Sequence, residues 1–297
     1  MAEVDLSEVV KHCGAKRALE VAAAGGHHVM LIGPRGGAKT MLADRFHTLF
    51  PDGPETPTWY LSPVKAPEHC SLESLATALQ AIPNGILIAD GVGGISSENA
   101  ERLREALLTR SYFQDGQWHR AHFTAILTTR PCPCGQYLEP TELCHCNPSD
   151  IKAHLSALEP LADAIDLCAN MGRVKPYFDV REVGLTEHSE AVAERIVRCR
   201  QTQAERFSGS ETVFNGEMTL PEIRQYCRLC EEGERLLKAF RKEVDSPEVA
   251  VCAALRVART IADLNMAADI ELVHLAEACA YRRTVHSYGP ATWQRIS

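Results

Sequence analysis

The sequence lacks a long uninterrupted apolar segment and an excess of positive charge. Its longest apolar stretch, ALEVAAAGGHHVMLIG (18–33), is interrupted by Glu20 and by two histidines, so it does not predict a membrane-spanning helix. The formal net charge is −8. This argues against a protein that binds nucleic acid over its whole surface, although a local basic region would not show in the sum. The chain opens without a charged and apolar leader, and we therefore expect a cytoplasmic protein with no membrane partner.

The lack of a secretion leader also bears on the 12 cysteines, because disulfides are rare in cytoplasmic proteins. Four of the cysteines form two CxC pairs, Cys132 with Cys134 and Cys144 with Cys146. Four thiolates on two short turns suit a tetrahedral Zn²⁺ ion, and a closed set of four ligands indicates a structural metal site. Two alternatives stay open: the four are unlinked thiols on a loop, or His145 replaces one cysteine as a ligand.

The composition changes near residue 180. Glycine, proline and short β-rich segments dominate before this point. After it, the segments EHSEAVAERIVRCRQTQAERF, LPEIRQYCRLCEEGERLLKAFRKE and PEVAVCAALRVARTIADLN place apolar residues three and four positions apart, which is the spacing of amphipathic helices. The pattern predicts an α/β region over 1–180 and an all-helical region over 181–297.

A glycine-rich segment, GPRGGAKT (33–40), lies between a short apolar strand, VMLIG (29–33), and a segment with helical spacing, TMLADRFHTLF (40–50). Strand, glycine-rich loop, Lys-Thr and helix is the context of a phosphate-binding loop. Backbone N–H groups would cradle the phosphates, Lys39 would reach the β and γ phosphates, and the Thr40 hydroxyl would hold Mg²⁺. One position departs from the usual pattern, because Ala38 precedes the lysine instead of glycine. The alternative is a glycine-rich turn that merely precedes a helix.

The nucleotide-binding prediction for ATP or ADP covers the whole loop and the first residue after it. These residues are Gly33, Pro34, Arg35, Gly36, Gly37, Ala38, Lys39, Thr40 and Met41.

Several segments of the chain occur together in one known family. CGAKRALEVAAAGGHHVMLIGPRGGAKTMLA (13–43), NGILIAD (84–90), RPCPCG (130–135), PLADAIDL (160–167) and LRVARTIADL (255–264) resemble the ComM and magnesium-chelatase subunit I group of AAA+ ATPases over roughly residues 5 to 283. The resemblance implies a P-loop αβα sandwich with a parallel sheet over 1–180, with the four-cysteine loop inserted at 130–148. A helical lid over 181–297 would follow. The resemblance implies a member without the Lon-like domain that precedes this core in full ComM proteins.

The resemblance also assigns roles to single residues. Asp90 matches the Walker B aspartate, which together with Thr40 would hold Mg²⁺. Arg256 matches the sensor 2 arginine of the lid and would also contact the nucleotide. The binding side of the site is therefore expected to be intact.

Three positions that support hydrolysis in the family carry other residues here. Gly91 occupies the place of the glutamate that activates water, Arg130 that of the sensor 1 asparagine, and Ala164 that of the arginine finger. Glu98 and Arg173 are weak candidates to replace the missing groups, as are Thr128 and Thr129, which lie just before Arg130. Because general-base help is worth roughly 10²–10⁴-fold in rate, we expect hydrolysis to be weak or absent.

The leading hypothesis is a module that binds ATP or ADP with Mg²⁺ and acts as a nucleotide-gated scaffold or regulatory subunit of a homo- or hetero-oligomeric ring. One alternative is an active motor of the DNA-remodelling or chelatase type, in which an active paralogue subunit supplies the missing groups. Another is a structural protein without nucleotide affinity. DNA is a possible partner that the net charge does not favour.

The segment YFQDGQWHRAHF (112–123) predicts a β-hairpin that turns at Asp115 and Gly116. Its Trp118, His119 and Arg120 would contact a substrate in the pore of a ring, or its aromatic side chains would pack on the sheet. The pair His27 and His28, just before the first strand, is expected to be structural.

Overall fold

A computed structural model describes residues 4–61, 72–82, 84–137, 143–156, 158–172, 187–244 and 247–286. The strands, numbered along the chain, are β1 (Val29–Ile32), β2 (Thr58–Leu61), β3 (Ile86–Asp90), β4 (Ser111–Gln114), β5 (Gln117–Arg120), β6 (Thr124–Thr129) and β7 (Leu167–Asn170). Five of them form a parallel sheet in the order β2-β3-β6-β1-β7, and β4 pairs with β5 separately.

The strands of the parallel sheet are apolar on both faces. Leu31, Ile88 and Ile126 belong to one apolar cluster, whereas their neighbours Ile32 and Leu87 belong to a second cluster on the opposite face. Successive side chains of a strand point to opposite faces, and a parallel sheet covered on both faces gives near-continuous apolar runs. This explains the continuous apolar runs of the central strands, such as VMLI in β1 and ILIA in β3.

Helices cover both faces of the sheet. They are α1 (Cys13–Gly25), α2 (Lys39–Asp44), α3 (Leu72–Ala81), α4 (Ser97–Thr109), α5 (Pro148–Ser156), α6 (Glu159–Ala162), α7 (Ser189–Arg206), α8 (Leu220–Tyr226), α9 (Glu231–Phe240), α10 (Pro247–Leu264) and α11 (Leu272–His286). The first cluster holds apolar residues of α1, α2 and α7 to α11, and the second holds those of α3 to α6. The expected α/β architecture, with a parallel sheet followed by a helical region, is confirmed. Of the helices in the described ranges, none combines the length and apolar character needed to cross a membrane.

The helical region does not have an apolar core of its own. Ile196 of α7 and Val257 of α10 share one cluster with Leu19 of α1 and Leu31 of β1. The proposed boundary near residue 180 lies outside the described residues, so it stays a prediction.

One predicted helix is interrupted. The segment LPEIRQYCRLCEEGERLLKAFRKE has continuous helical spacing, but α8 ends at Tyr226 and α9 begins at Glu231. Between them, Leu229 pairs with Ile270 in an isolated parallel bridge. The helical spacing predicted for this segment is therefore present as two helices, with residues 227–230 between them.

Buried polar groups join the helical region to the α/β region. The fully buried ring of His27 lies 3.0 Å from Asp166 through Nδ1 and 2.8 Å from the Thr260 hydroxyl through Nε2. Asn215 donates from Nδ2 to the same hydroxyl and to Asp263. Burial alone would raise the pKa of Asp166, but the hydrogen bond with His27 and the positive charge of Arg256 hold it well below its ordinary value. The network therefore keeps Asp166 ionised in the interior.

His28 confirms the structural reading of the histidine pair. Its Nδ1 accepts from the backbone N–H of Ala125 at 3.0 Å, and its Nε2 lies 3.1 Å from the carbonyl oxygen of Leu107. Only 2% of the residue is exposed. Both histidines are therefore enclosed by hydrogen bonds within the fold.

The predicted hairpin is present as β4 and β5. Asp115 and Gly116 form its turn with φ of 51° and 80°, as a two-residue type I′ turn requires. Phe113 and Trp118 face each other with ring centroids 5.4 Å apart and are 55% and 65% exposed. The alternative in which these aromatic residues pack on the sheet is wrong for this pair.

Candidate functional site

A cavity of about 570 Å³ opens where β1, β3 and β6 end, which is the edge of a parallel sheet where ligands commonly bind. The residues that line it are Arg35, Gly36, Gly37, Ala38, Lys39, Thr40, Met41, Asp90, Gly91, Gly93, Thr128, Thr129, Arg130 and His154. The structure thus brings most of the predicted phosphate loop, Asp90, Gly91 and Arg130 into one site.

The loop requires glycine at its start and tolerates alanine at its end. A Cβ on Gly33 would lie 2.0 Å from the carbonyl oxygen of Met171, a clash with backbone that follows β7. Ala38 has φ of 59° and ψ of 17°, in the left-handed region that costs roughly 1–2 kcal/mol for a residue other than glycine. The departure from the usual glycine therefore strains the backbone of the loop without removing its shape.

Lys39 lies inside the loop. Its Nζ donates to the carbonyl oxygens of Gly33 and Pro34 at 2.7 Å each. Burial of the ammonium group, assisted by the positive charge of Arg130 and opposed by Asp90, lowers the pKa of Lys39 to about 8. A phosphate group in the cavity would stabilise the charged form of this lysine.

Asp90 and Thr40 offer the oxygen ligands that Mg²⁺ prefers. The Thr40 hydroxyl lies 3.3 Å from Asp90 Oδ1, and the hydroxyl of Thr128 donates to the same carboxylate oxygen. Mg²⁺ takes hard oxygen ligands in near-octahedral geometry and keeps several waters. A hydroxyl and a carboxylate side by side at the end of the phosphate loop fit this requirement.

The position after Asp90 differs from that of a hydrolytic site. Gly91 has φ of 81°, and its N–H donates to Thr128 Oγ1 at 3.1 Å and to the Thr128 carbonyl at 3.0 Å. Among the described residues that line the cavity, Asp90 is the one carboxylate. Glu98 does not line the cavity and pairs with Arg102 on α4 at 2.9 Å. The candidate replacement for the missing glutamate is therefore not in place.

Arg130 and Ala164 have different surroundings. Arg130 lines the cavity, and its Nη1 donates to the carbonyl oxygen of Pro133 in the four-cysteine loop. Ala164 is 6% exposed and packs in the apolar core beyond α6, so it cannot act on a neighbouring subunit. Arg173, the suggested replacement for the arginine finger, lies outside the described residues.

Arg256 is not brought to the cavity. Its Nη1 donates to the carbonyl oxygen of Gly216 at 2.9 Å, and its charge acts on His27 and Asp166. His27 precedes β1, whereas the phosphate loop follows β1, so Arg256 lies at the opposite end of this strand. Its assignment as a nucleotide ligand stays a prediction that needs a different placement of α10.

Two residues of the site make contacts that the sequence does not predict. Thr128 bonds to both Asp90 and Gly91 and so orients the end of β3. His154 of α5 lines the cavity, and its Nε2–H donates to the carbonyl oxygen of Arg130 at 2.7 Å. Burial lowers the pKa of His154 below its ordinary value, so the ring is neutral near pH 7. Neither position lies in a recognisable sequence pattern; the fold alone brings them to the site.

The four predicted cysteine ligands come together. The Sγ atoms of Cys132, Cys134, Cys144 and Cys146 all lie within 4.8 Å of one another, and three of the separations are 3.4, 3.7 and 3.6 Å. Four sulfurs around a tetrahedral Zn²⁺ at ~2.3 Å would lie about 3.8 Å apart. His145 is not among the clustered ligands, so the set of four cysteines is favoured over the set with a histidine.

Backbone N–H groups also point at the sulfurs. Gly135 and Tyr137 donate to Cys132 Sγ at 3.1 and 3.3 Å, and Cys134 donates to Cys146 Sγ at 3.3 Å. Such hydrogen bonds favour the thiolate form, which is the form that binds metal. The cluster is therefore compatible with zinc in both spacing and chemistry.

Comparisons with known proteins agree with these features. Residues 5–66 and 73–177 match the family profile described as magnesium chelatase, subunit ChlI, and residues 186–282 match the profile of the ChlI C-terminal region. A protein of Escherichia coli named YifB is 29% identical over 94% of this chain. The competence protein ComM of Haemophilus influenzae is 28% identical over 95% of it. The resemblance found in the sequence is thereby confirmed.

The matched region is a part of these relatives. The alignments cover 60% of YifB and 60% of ComM. The chain thus spans about three fifths of the length of the curated relatives it matches, and what the whole relatives do does not transfer to it directly.

Proposed function

The chain belongs to the magnesium chelatase subunit ChlI family, and we propose that it is an AAA+ module that binds ATP or ADP with Mg²⁺ and hydrolyses ATP slowly or not at all. It would serve as a nucleotide-gated scaffold or regulatory subunit. One observation carries this proposal. Lys39, Thr40 and Asp90 line a single cavity, but Gly91 stands there without a side chain.

Nucleotide binding rests on the groups that face the phosphates. Lys39 would exchange its bonds to the loop carbonyls for bonds to phosphate oxygens, which are the stronger acceptors because they are charged. Thr40 and Asp90 would hold Mg²⁺, and bound Mg²⁺ would neutralise charge on the β and γ phosphates. The glycines of the loop leave the backbone N–H groups accessible to the phosphates.

Weak hydrolysis rests on the groups that face the attacking water. A general base must lie within hydrogen-bond reach of the water, and Gly91 has no group that can accept its proton. The Thr128 hydroxyl donates to Asp90, and Nη1 of Arg130 donates to Pro133. A guanidinium group has donors alone, so Arg130 cannot accept a hydrogen bond from water as an asparagine does. Ala164 removes the cation that a ring would supply to the neighbouring site.

Assembly and zinc belong to the same proposal. Membership in an AAA+ family supports an oligomeric ring, homo- or hetero-oligomeric, because modules of this class commonly assemble edge to edge. The exposed Phe113 and Trp118 of the hairpin would then be available to a client in the ring. The four clustered cysteines would hold Zn²⁺ in a structural role.

Calorimetry with Mg·ATP and Mg·ADP tests the binding half of the proposal. We expect both nucleotides to bind, and Lys39→Ala to weaken binding about tenfold or more, since a hydrogen bond to a charged group is worth roughly 1.5–3 kcal/mol. Lys242→Ala, at an exposed lysine of the helical region, is the matched control and should bind as the wild type does. Absence of binding in the wild type would refute a nucleotide-dependent function.

A further inference from the structure

The four-cysteine loop contacts the phosphate loop beside the nucleotide cavity. Gly135, which follows the first cysteine pair, has φ of 88°, and a Cβ added to it would lie 3.3 Å from Pro34 Cα and 3.6 Å from the backbone N of Arg35. Pro34 and Arg35 belong to the phosphate loop. The two loops are thus in backbone contact at a position where even a methyl group is crowded.

A second contact runs through Arg130. Nη1 of this residue donates to the carbonyl oxygen of Pro133, between the two cysteines of the first pair. The carbonyl oxygen of Arg130 accepts from His154 at 2.7 Å. Arg130 is therefore held at both its backbone and its side chain, and the side-chain support comes from the cysteine loop.

The charge of Arg130 acts on the phosphate-binding lysine. Together with burial, it lowers the pKa of Lys39, which means that two cations face the same cavity. A polyanion between them would relieve this repulsion. The position of Arg130 thus affects how strongly the cavity attracts phosphate groups.

We propose that the four-cysteine loop is a positioning element of the nucleotide site: with zinc bound, Pro133 and Gly135 hold Arg130 and Pro34 in the arrangement that binds nucleotide phosphates. This inference rests on the proposed nucleotide binding. Metal binding stabilises the local fold around its ligands. Loss of zinc would therefore release both contacts and weaken nucleotide binding. By reciprocity, bound nucleotide must strengthen zinc binding by the same factor.

The test compares zinc-loaded protein with protein stripped by a chelator, dialysed and returned to Mg²⁺. Calorimetry with Mg·ADP should show that removal of zinc weakens binding about fivefold or more, at the lower end of ordinary coupling between sites. Competition with a zinc dye should show zinc affinity rising by the same factor when Mg·ADP is present. A merely structural zinc would change thermal stability without producing this reciprocal effect.

Variants separate the contact from the metal itself. Gly135→Ala keeps all four cysteines, so we expect full zinc content but weaker Mg·ADP binding. Gly209→Ala is the matched control, because Gly209 has φ of 82° and no atom within 4 Å of an added Cβ; it should leave both affinities unchanged. If Gly135→Ala does not fold, Arg130→Ala removes the contact to Pro133 and should reduce the zinc dependence of Mg·ADP binding, because the contact of Gly135 with Pro34 alone would then remain.

The outcomes are distinct. Equal Mg·ADP affinity with and without zinc, in a protein that binds nucleotide, would overturn the coupling while leaving the proposed function standing. So would wild-type affinity in a zinc-loaded Gly135→Ala protein. A wild type that binds no nucleotide in either zinc state would overturn the proposed function and this inference with it.

Discussion

Ala38 and Gly91, which both line the nucleotide cavity, have the left-handed backbone conformation, with φ of 59° and 81°. Glycine adopts this conformation without steric cost, whereas alanine does not. The chain thus carries backbone strain in the phosphate loop and none beside Asp90. A glutamate introduced at position 91 would have to adopt the same left-handed conformation, at a steric cost that glycine does not have.

Ala38→Gly should therefore stabilise the protein. Relief of the left-handed strain, roughly 1–2 kcal/mol, exceeds the roughly 0.5–1 kcal/mol that glycine costs through the entropy of the unfolded chain, for a net gain of about 0.5 kcal/mol in the free energy of unfolding. Chemical denaturation measures it. Ala204→Gly, at an exposed position of α7, makes the same change in a right-handed helix and should lose about 0.5–1 kcal/mol. A loss in both variants would mean that Ala38 is not strained.

Lys39 gives nucleotide binding a pH dependence. Its pKa is about 8, phosphate binds the protonated form, and binding must raise this pKa. The affinity for Mg·ADP should therefore be constant below about pH 7 and fall above pH 8, by at most tenfold per pH unit, with proton uptake on binding near pH 8. Lys39→Arg keeps its charge at every accessible pH and should flatten the fall. An identical fall in both proteins would assign it to another group.

At the scale of elements, the hairpin of β4 and β5 displays an aromatic pair on the surface. Trp118 is 65% exposed, and its partner Phe113 is 55% exposed. Because so much of both rings is exposed, we expect the pair to contribute little to the stability of the fold.

Trp118→Ala should change the free energy of unfolding by no more than about 0.5 kcal/mol, as surface substitutions usually do. Phe123→Ala removes an aromatic ring that is 1% exposed, just beyond the same hairpin, and should cost about 3–5 kcal/mol. Denaturant unfolding of both variants provides the comparison. A large loss for Trp118→Ala would show that its ring supports the fold after all.

The sequence allowed the elements with strong local signals to be predicted. The strand before the loop, the hairpin with Asp115 and Gly116 at its turn, and the cysteine pairs all follow from local spacing. The break between α8 and α9 could not be predicted, because it depends on a bridge between Leu229 and Ile270, more than one helix apart. The spacing of apolar residues predicts which face of a helix is buried. It does not predict where a distant segment of the chain interrupts that helix.

The same distinction holds for the site. Lys39 and Asp90 are visible in the sequence because they sit in short patterns. His154 is not, because α5 alone shows no reason for a histidine to reach the carbonyl of Arg130. Arg256 was expected at the nucleotide from its place in the lid, but the carbonyl oxygen of Gly216, away from the cavity, accepts its hydrogen bond. The positions of His154 and Arg256 depend on how their helices pack in the fold, which local sequence patterns do not predict.

At the scale of the whole molecule, a buried ion pair joins α7 to α10. Arg206 donates to both carboxylate oxygens of Asp263 at 2.6 Å each, and Arg259 donates to the same carboxylate at 3.1 Å. The Asp263 side chain is 1% exposed. The negative charge of this carboxylate therefore balances the positive charges of two arginines in the interior of the helical region.

Asp263→Asn should be strongly destabilising, because it leaves buried guanidinium charge without its counterion; such changes cost about 3–5 kcal/mol. Asp269→Asn makes the same chemical change at an exposed position and should cost no more than about 0.5 kcal/mol. Thermal or denaturant unfolding distinguishes the two. Similar small losses in both variants would show that Asp263 does not hold the helices together.

The most direct test of the account is the rate of phosphate release by the purified protein at saturating Mg·ATP, beside Lys39→Ala under the same conditions. We predict that the wild type binds ATP but releases phosphate no faster than the variant, because Gly91, directly after Asp90, has no side chain that could activate water. Clear turnover that depends on Lys39 would contradict this, and it would mean that another residue performs the task of the missing glutamate.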